Sequence, residues 1–435
     1  MRDLALTAFV FGALPFILWR PHIGVLMWTW LSIMNPHRLT WSFAYDMQFA
    51  FIVAVVTLIS LLVSREPKKM PWTAETVVLL LFIAWMMLTT LFAMYPHDAW
   101  THLQKVLKIL LMVFVTMVLM QSKERINLLV WVMTLSLAFY GIKGGLFTLR
   151  GGGIHNVQGP PGSFITGNNE MALALIMTIP LLRYLQMTAS KIWIRHGMTA
   201  AMLLTALAAI GSHSRGALVG MLAVGGVFWL KSRGKLFSGA LVVIAAMTVL
   251  AIMPERWFER MGTIVNYQQD GSALRRINAW MVAINIAVDR PLGGGFEVFQ
   301  PRTFAAYAPQ SLRYADAHSI YFEVLGEHGF VGLALFLALG LVAWRSASWI
   351  IRRARGDPQN AWAGDLARMV QVSIVGYASA GAFLGLAYFD LYYTLVAVVV
   401  LCKMVLMKQD AEALLARKAQ AGANADLPVA PAPAR

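Results

Sequence analysis

The sequence predicts an all-α protein that crosses a membrane many times. Three observations carry that prediction. Of 435 residues, 59% are hydrophobic and 13% charged, whereas an ordinary soluble domain is ~45–50% apolar and ~25% charged. Uncharged apolar runs recur from one end of the chain to the other. The connections between them are alternately rich and poor in lysine and arginine, as loops are on the two sides of a membrane. This composition excludes a water-soluble enzyme and a disordered chain. The net charge of +15 is read as basic loops rather than a nucleic-acid surface. The lone cysteine, Cys402, lies in an apolar run and forms no internal disulfide.

Twelve apolar segments follow in order, near 4–19, 48–63, 75–94, 105–120, 126–148, 170–187, 193–211, 216–230, 236–253, 319–344, 366–385 and 391–407. The first is followed by Arg20-Pro21-His22 and no small-residue cleavage site, so it reads as a retained anchor. Residues 20–47 are amphiphilic, with Trp28, Trp30, Trp41 and the turn Asn35-Pro36-His37-Arg38, and read as an interfacial hairpin. Basic connections stand at 64–74, 121–125, 188–196, 231–235 and 345–365, and the tail carries Lys403, Lys408, Arg417 and Lys418. The positive-inside rule then places both termini in the cytoplasm. The opposite face receives 95–104, 149–169, the turn 212–215 and one long segment, 254–317. The expected organisation is therefore N-terminal transmembrane helices over 1–253, a large outer loop over 254–317, C-terminal transmembrane helices over 318–407 and a tail over 408–435. The Ala/Pro-rich end from about 420 reads as disordered.

The 64 residues of the outer segment are long for a connection between membrane helices unless they work. They hold seven arginines (Arg256, Arg260, Arg275, Arg276, Arg290, Arg302 and Arg313) and no lysine. Arginine is favoured where a planar fork must grip phosphate or carboxylate oxygens; ordinary surface ion pairs with the six acids of the segment are the alternative. Residues 272–288 read as an amphipathic helix on which Arg276 and Trp280, four apart, share a face that Ile284 and Val288 continue. Such a helix lies along the membrane surface, offering guanidinium groups at headgroup depth or serving as a simple anchor. Pro291-Leu292-Gly293-Gly294-Gly295-Phe296 is a tight turn; with no strand before it, nucleotide binding is a poor reading.

His318 is expected to start a membrane helix at the outer face. Phe322, Leu325, Gly329 and Gly332 continue its stripe, the two glycines allowing close helix contact. Asp316, Glu323 or Glu327 are candidates to orient the ring. A cap or surface histidine is the alternative. Arg215, in Ser212-His213-Ser214-Arg215-Gly216, precedes an apolar run, where an arginine entering the bilayer costs ~2–3 kcal/mol; it is a candidate anion contact or a snorkelling interfacial residue. The loop 158–170 runs into the next helix with Asn168 and Asn169 as sugar or cap contacts. The nine histidines show no metal-ligand spacing, so no metal or other cofactor is expected.

In order, the Gly-rich loop with Asn169, Ser214-Arg215-Gly216, Arg276-x-x-x-Trp280, Pro291-Leu292-Gly293-Gly294-Gly295, and His318-Ser319 followed by Gly329-x-x-Gly332 resemble the O-antigen ligase and polymerase superfamily, the histidine–GxxG spacing being similar to the ligases in particular. Trp28-x-Trp30 and Asn35-Pro36-His37-Arg38-Leu39-Thr40-Trp41 look like a ligase subgroup associated with exopolysaccharide or protein O-glycosylation. The resemblance implies a GT-C-like membrane glycosyltransferase of about twelve helices with one large periplasmic loop, in the bacterial inner membrane. It implies transfer of a polysaccharide from undecaprenyl diphosphate to a sugar hydroxyl of lipid A–core, metal-independent and inverting. Carried onto this chain, Arg215 and Arg276 hold the donor diphosphate, with Arg275 beside Arg276 as the competing contact. His318 is the general base or positions the acceptor hydroxyl, and Asn169, Trp280, Asp316 and Glu327 are supporting candidates. A polymerase, a ligase for another acceptor, and a lipid-linked sugar flippase are the alternatives.

Overall fold

The computed structural model describes residues 1–231, 253–262, 271–310 and 313–425, with isolated positions 236, 239 and 247. The expected segment 236–253 and the last ten residues fall almost wholly outside the described residues. Among the described residues every regular element is helical. Eleven of the twelve expected apolar segments coincide with helices: α1 Arg2–Trp19, α3 Phe49–Val63, α4 Ala74–Leu91, α5 Pro96–Leu119, α6 Lys123–Arg150, α7 Asn168–Thr188, α8 Ile192–Ile210, α9 Arg215–Lys231, α13 Ile320–Arg353, α14 Ala361–Ala380 and α15 Asp390–Ala425. Between them lie α2 Pro21–Met34 and, in the long segment, α10 Glu255–Gly262, α11 Gly271–Asp289 and α12 Pro301–Tyr307.

Eight helices among the described residues are long and apolar enough to cross a bilayer, rather than the twelve expected. The 15 residues of α3 and the apolar stretch Arg215–Leu230 fall short, since ~20 residues span the hydrocarbon. Burial explains the polar character of α14, which carries Asp365, Arg368 and Gln371: most of its surface meets protein rather than lipid. The first three turns of α15 are buried on every side, from Leu391 through Cys402, as an all-apolar helix at a bundle centre must be. By contrast α1 and α8 turn Phe9, Phe16, Trp193 and Leu203 outward. The helix α15 continues to Ala425, so the tail expected to begin at 408 is helical through its first half.

Two ends of the bundle are defined by contacts between turns. At the basic end, Arg125 grips Glu66 through both Nη atoms at 2.7 and 2.9 Å. Gln121 Nε2 donates to the Lys69 carbonyl, and the Lys123 ammonium lies 5.7 Å from the Trp362 ring centre. At the loop end, Met94 N–H donates to the Gly294 carbonyl, Val157 N–H to Gly211, and Arg290 Nη2 to Phe92. The basic turns therefore gather opposite the long segment.

The first 47 residues differ from expectation. Asp3 Oδ1 accepts from Ser42 N–H and Ala44 N–H at 3.0 and 3.2 Å, so the start of α1 lies beside the entry to α3. Ser60, near the exit of α3, donates to the carbonyls of Ile17 and Leu18. Thus α1 runs parallel to α3, from the loop end to the basic end. Helix α2 then returns between them, with Val25, Trp28 and Leu31 buried, and His22 3.8 Å from Glu66 at the basic end. Residues 21–34 are a packed helix of the bundle rather than half of an interfacial hairpin, because both faces of the helix find protein partners. Asn35 in the left-handed region (φ 50°) and Pro36 end it. One extra traverse reverses the chain's parity: Met1 lies at the loop end and α15 ends at the basic end. This corrects the expectation that both termini share a face.

Candidate functional site

Helix α13 carries the most informative departure. At ~1.5 Å per residue its 34 residues would measure about 51 Å, against a hydrocarbon core of about 30 Å. It breaks at Gly329, where φ is 65° and ψ is −170°, a region open essentially to glycine alone. The result is a short stub, residues 320–328, followed by a long helix over 330–353. His318 therefore precedes a stub and not a continuous membrane helix, and its expected stripe with Gly329 and Gly332 is interrupted. The break frees carbonyls that the glycine-rich turn caps: Gly294 N–H donates to Gly326 and Gly295 N–H to Glu327, both at 2.8 Å. Trp85 Nε1 donates to the His328 carbonyl at 2.8 Å. Gly293 and Gly295 adopt φ of 73° and 81° to make this approach.

The stub is clamped at its start. A Cβ on Gly381 would stand 2.7 Å from Ile320 Cδ1, and Tyr321 OH donates to the Ala378 carbonyl at 2.8 Å. Helix α11 docks on it, Ala283 lying so close that a Cβ on Gly326 would stand 3.3 Å from the Ala283 Cβ, and buries Ala279, Val282 and Ile286 with Val298 and Phe304; it is not a free surface helix. Trp280 stacks on Phe322, ring centres 4.9 Å apart and 13° from parallel. Its Nε1 donates to the Ala317 carbonyl at 2.8 Å. Trp280 thereby fixes the peptide directly before His318, which is held at φ 45°. Left-handed backbone at a non-glycine residue costs of order 1 kcal/mol and persists only where its surroundings impose it.

The His318 side chain is half-buried. Burial holds its imidazole below the ordinary histidine range; the Arg276 charge adds to that effect, Asp316 opposes it and Arg275 reinforces it. The ring is therefore neutral near pH 7. Arg276 is half-buried on the Trp280 face, whereas Arg275 is exposed. Glu170, near the start of α7, lies within electrostatic reach of Arg276 and Asp316.

The turn that carries Arg215 reaches the same region by packing. Its neighbour Gly216 lies so close to Phe383 that an added Cβ would stand 3.1 Å from the Phe383 Cβ. The Phe383 ring is 6.4 Å from that of Trp280. The turn before Arg215 is over-determined. Asn168 Nδ2 donates to the Ser212 carbonyl at 2.7 Å, and Ser214 Oγ accepts from Ala217 N–H as the helix cap. Buried His213, at φ 56°, bonds the Gly153 carbonyl through Nε2 at 2.7 Å. Trp257 Nε1 donates to Ile210. Thus the helix start that carries Arg215 lies against Phe383 through Gly216, the helix that carries Arg276 lies near the same ring through Trp280, and the Arg276 charge acts on His318.

The other candidates divide. Asp316 acts on His318 through its charge. Glu327 does not: one oxygen accepts from Glu297 N–H at 3.0 Å and the other from Tyr388 OH at 2.6 Å. Glu323 accepts from Ala387 N–H. Both carboxylates brace neighbouring segments, which corrects the idea that either orients the His318 ring. Asn169 is half-buried, but the bond to the Arg215 turn comes from Asn168; a one-residue change along a helix start rotates a side chain by about 100°, which spacing alone does not resolve. Phe383 and Glu170 went unmarked in the sequence because nothing in their local pattern separates them from packing residues.

Comparison with known proteins adds to this geometry. Residues 1–190 match a family of unknown function (DUF5935), and residues 200–337 match the O-antigen ligase family model. No curated protein matches the chain. The second match spans Arg215, Arg276, the glycine turn, His318 and the Gly329 break, and it supports membership of the O-antigen ligase/polymerase superfamily.

Proposed function

We propose that the protein is a bacterial inner-membrane glycosyltransferase, an O-antigen ligase, working at the periplasmic face. Its loop end faces the periplasm and its basic end the cytoplasm, as positive-inside charge requires. The donor is a polysaccharide on undecaprenyl diphosphate and the acceptor a sugar hydroxyl of lipid A–core. The observation that supports this reading best is His318, held in left-handed backbone and within reach of the Arg276 charge, with the helix start that carries Arg215 packed on Phe383 near Trp280.

The chemistry follows from those groups. As the acceptor oxygen forms its bond to the anomeric carbon, the bond from that carbon to the phosphate oxygen breaks, and the electron pair leaves with the diphosphate. Arg215 and Arg276 match the growing negative charge in a site of low dielectric, where such contacts are worth most; the half-buried Arg276 is the closer fit to that role than exposed Arg275. His318 accepts the hydroxyl proton, which a neutral imidazole does near neutral pH. Attack opposite the leaving group inverts the anomeric centre. Exposed apolar faces on the helices suit contact with lipid and the isoprenoid chain.

The test uses the purified full chain in lipid vesicles with lipid-linked glycan, offering lipid A–core or lipid-linked glycan as acceptor. A ligase caps lipid A–core, and His318→Ala and Arg215→Ala insert normally yet transfer at least a hundredfold less. Elongation of the lipid-linked chain alone would make the protein a polymerase. Movement of donor across the bilayer with no new glycosidic bond would make it a flippase, and unchanged transfer by both variants would remove the residue assignments.

A further inference from the structure

A polar pocket opens at the loop end, with neither Arg215 nor His318 in its lining. It is an open recess of about 200 Å³, lined by Asp98, Thr101, His102 and Lys105 from the first turns of α5 and by Glu297 from the segment after the glycine turn. His102 Nδ1 and Glu297 Oε1 are 2.7 Å apart. The His102 ring is stacked on buried Phe296, 5.0 Å between centres and 8° from parallel. Gln300 Nε2 spans the rim, donating to Asp98 Oδ2 at 3.0 Å and to the Glu297 carbonyl at 3.1 Å. Glu297 is itself held at φ 59°, a strained conformation for glutamate. What imposes it is Glu327, whose carboxylate takes the Glu297 N–H and the Tyr388 hydroxyl. The wall of the cavity is thus tied to the far end of the stub that begins beside His318, nine residues or about 13 Å away along the helix.

The lining decides the ligand class. Two carboxylates repel a phosphate. A bare divalent cation is disfavoured by the Lys105 ammonium and by Glu297 being committed to His102. A mixed array of carboxylate oxygens, hydroxyl and ammonium, with His102 holding Glu297 in place, suits vicinal hydroxyls, each of which donates and accepts. The volume lies below the ~300–1,000 Å³ of sites for larger ligands, a size for one sugar ring. We propose that this cavity is a sugar subsite, holding one pyranose of a glycan whose reacting end lies at His318. The proposal rests on the glycosyl-transfer reading and adds to it a second point of grip on the same substrate, set at fixed distance by the stub.

The test is kinetic and has a binding arm, both with the full chain in detergent or nanodiscs. Glu297→Gln, Asp98→Asn and Lys105→Gln each raise KM for one glycan substrate about tenfold with kcat within about twofold; a rise for donor or for acceptor names the glycan held. Lys105 is exposed, so its variant folds even if the carboxylate variants do not. Unchanged KM for both substrates in Lys105→Gln and Asp98→Asn overturns the proposal. The binding arm uses saturation-transfer NMR with two water-soluble probes: glycan released by mild acid from the lipid-linked pool, and delipidated core oligosaccharide. A signal from either that is lost in Asp98→Asn supports the subsite; no wild-type signal, or equal signal in the variant, overturns it. Binding needs no turnover, so a protein that binds glycan here yet transfers none sinks the transferase reading and leaves the subsite standing.

Discussion

Replacing Gly329 with alanine tests how His318 is positioned. At φ 65° and ψ −170°, alanine sits where L-residues do not, a strain of about 1–3 kcal/mol. Its Cβ would also lie 2.3 Å from the Pro291 carbonyl oxygen and 3.2 Å from Gly293 N. Neither is the tip of a flexible side chain, so the glycine turn must move as backbone. Withdrawal breaks the bonds from Gly294 to Gly326 and from Gly295 to Glu327, worth about 0.5–1.5 kcal/mol each. The sum is a destabilisation of about 2–6 kcal/mol, lowered by whatever helical bonds α13 regains on straightening. The assay is the denaturant midpoint of the purified protein, with limited proteolysis of residues 291–300 as the local readout. Gly12→Ala is the control, since a Cβ there meets nothing within 4 Å and alanine favours a helix by about 0.5–1 kcal/mol. A Gly329→Ala protein as stable as wild type, with the turn equally protected, would show that the break is not what holds the stub.

Three further outcomes are expected. Trp280→Phe keeps the ring against Phe322 but strips the Ala317 carbonyl, in a residue 2% exposed, of its donor, a loss of about 1–3 kcal/mol; felt at His318, it lowers kcat roughly ten- to hundredfold with KM little changed, and an unaltered kcat would deny Trp280 its positioning role. The acid limb of the pH–rate profile lies below the ordinary ~6.5 of histidine, because the base is active only when neutral and its proton affinity is depressed; Arg276→Gln removes one depressing charge, so in the residual activity that limb moves up toward ~6.5, and a limb that stays put or moves down contradicts the pairing. A cleavable tag on Met1 is cut from the side that exposes residues 149–167, whereas a tag after α15 is cut from the other; cleavage of both from one side would refute the parallel course of α1 and α3.

The sequence by itself determined the class of the protein and most of its helices, because apolar runs without charge have one stable home and their lengths follow bilayer thickness. It also offered Arg215, Arg276 and His318 as candidates, through charge placed where charge is costly and through the order of motifs. Tertiary structure decided what depends on partners distant in sequence. Helix α2 became part of the bundle because α1, α3 and α6 cover it, and that single traverse moved the N-terminus to the other end. Glu327 became a brace because Tyr388 and Glu297 reach it first. The Gly329 break exists only because the turn at 291–295 supplies the donors that a broken helix lacks. A local pattern reports a residue's cost of burial, but not which atom 30 or 200 positions away offsets it.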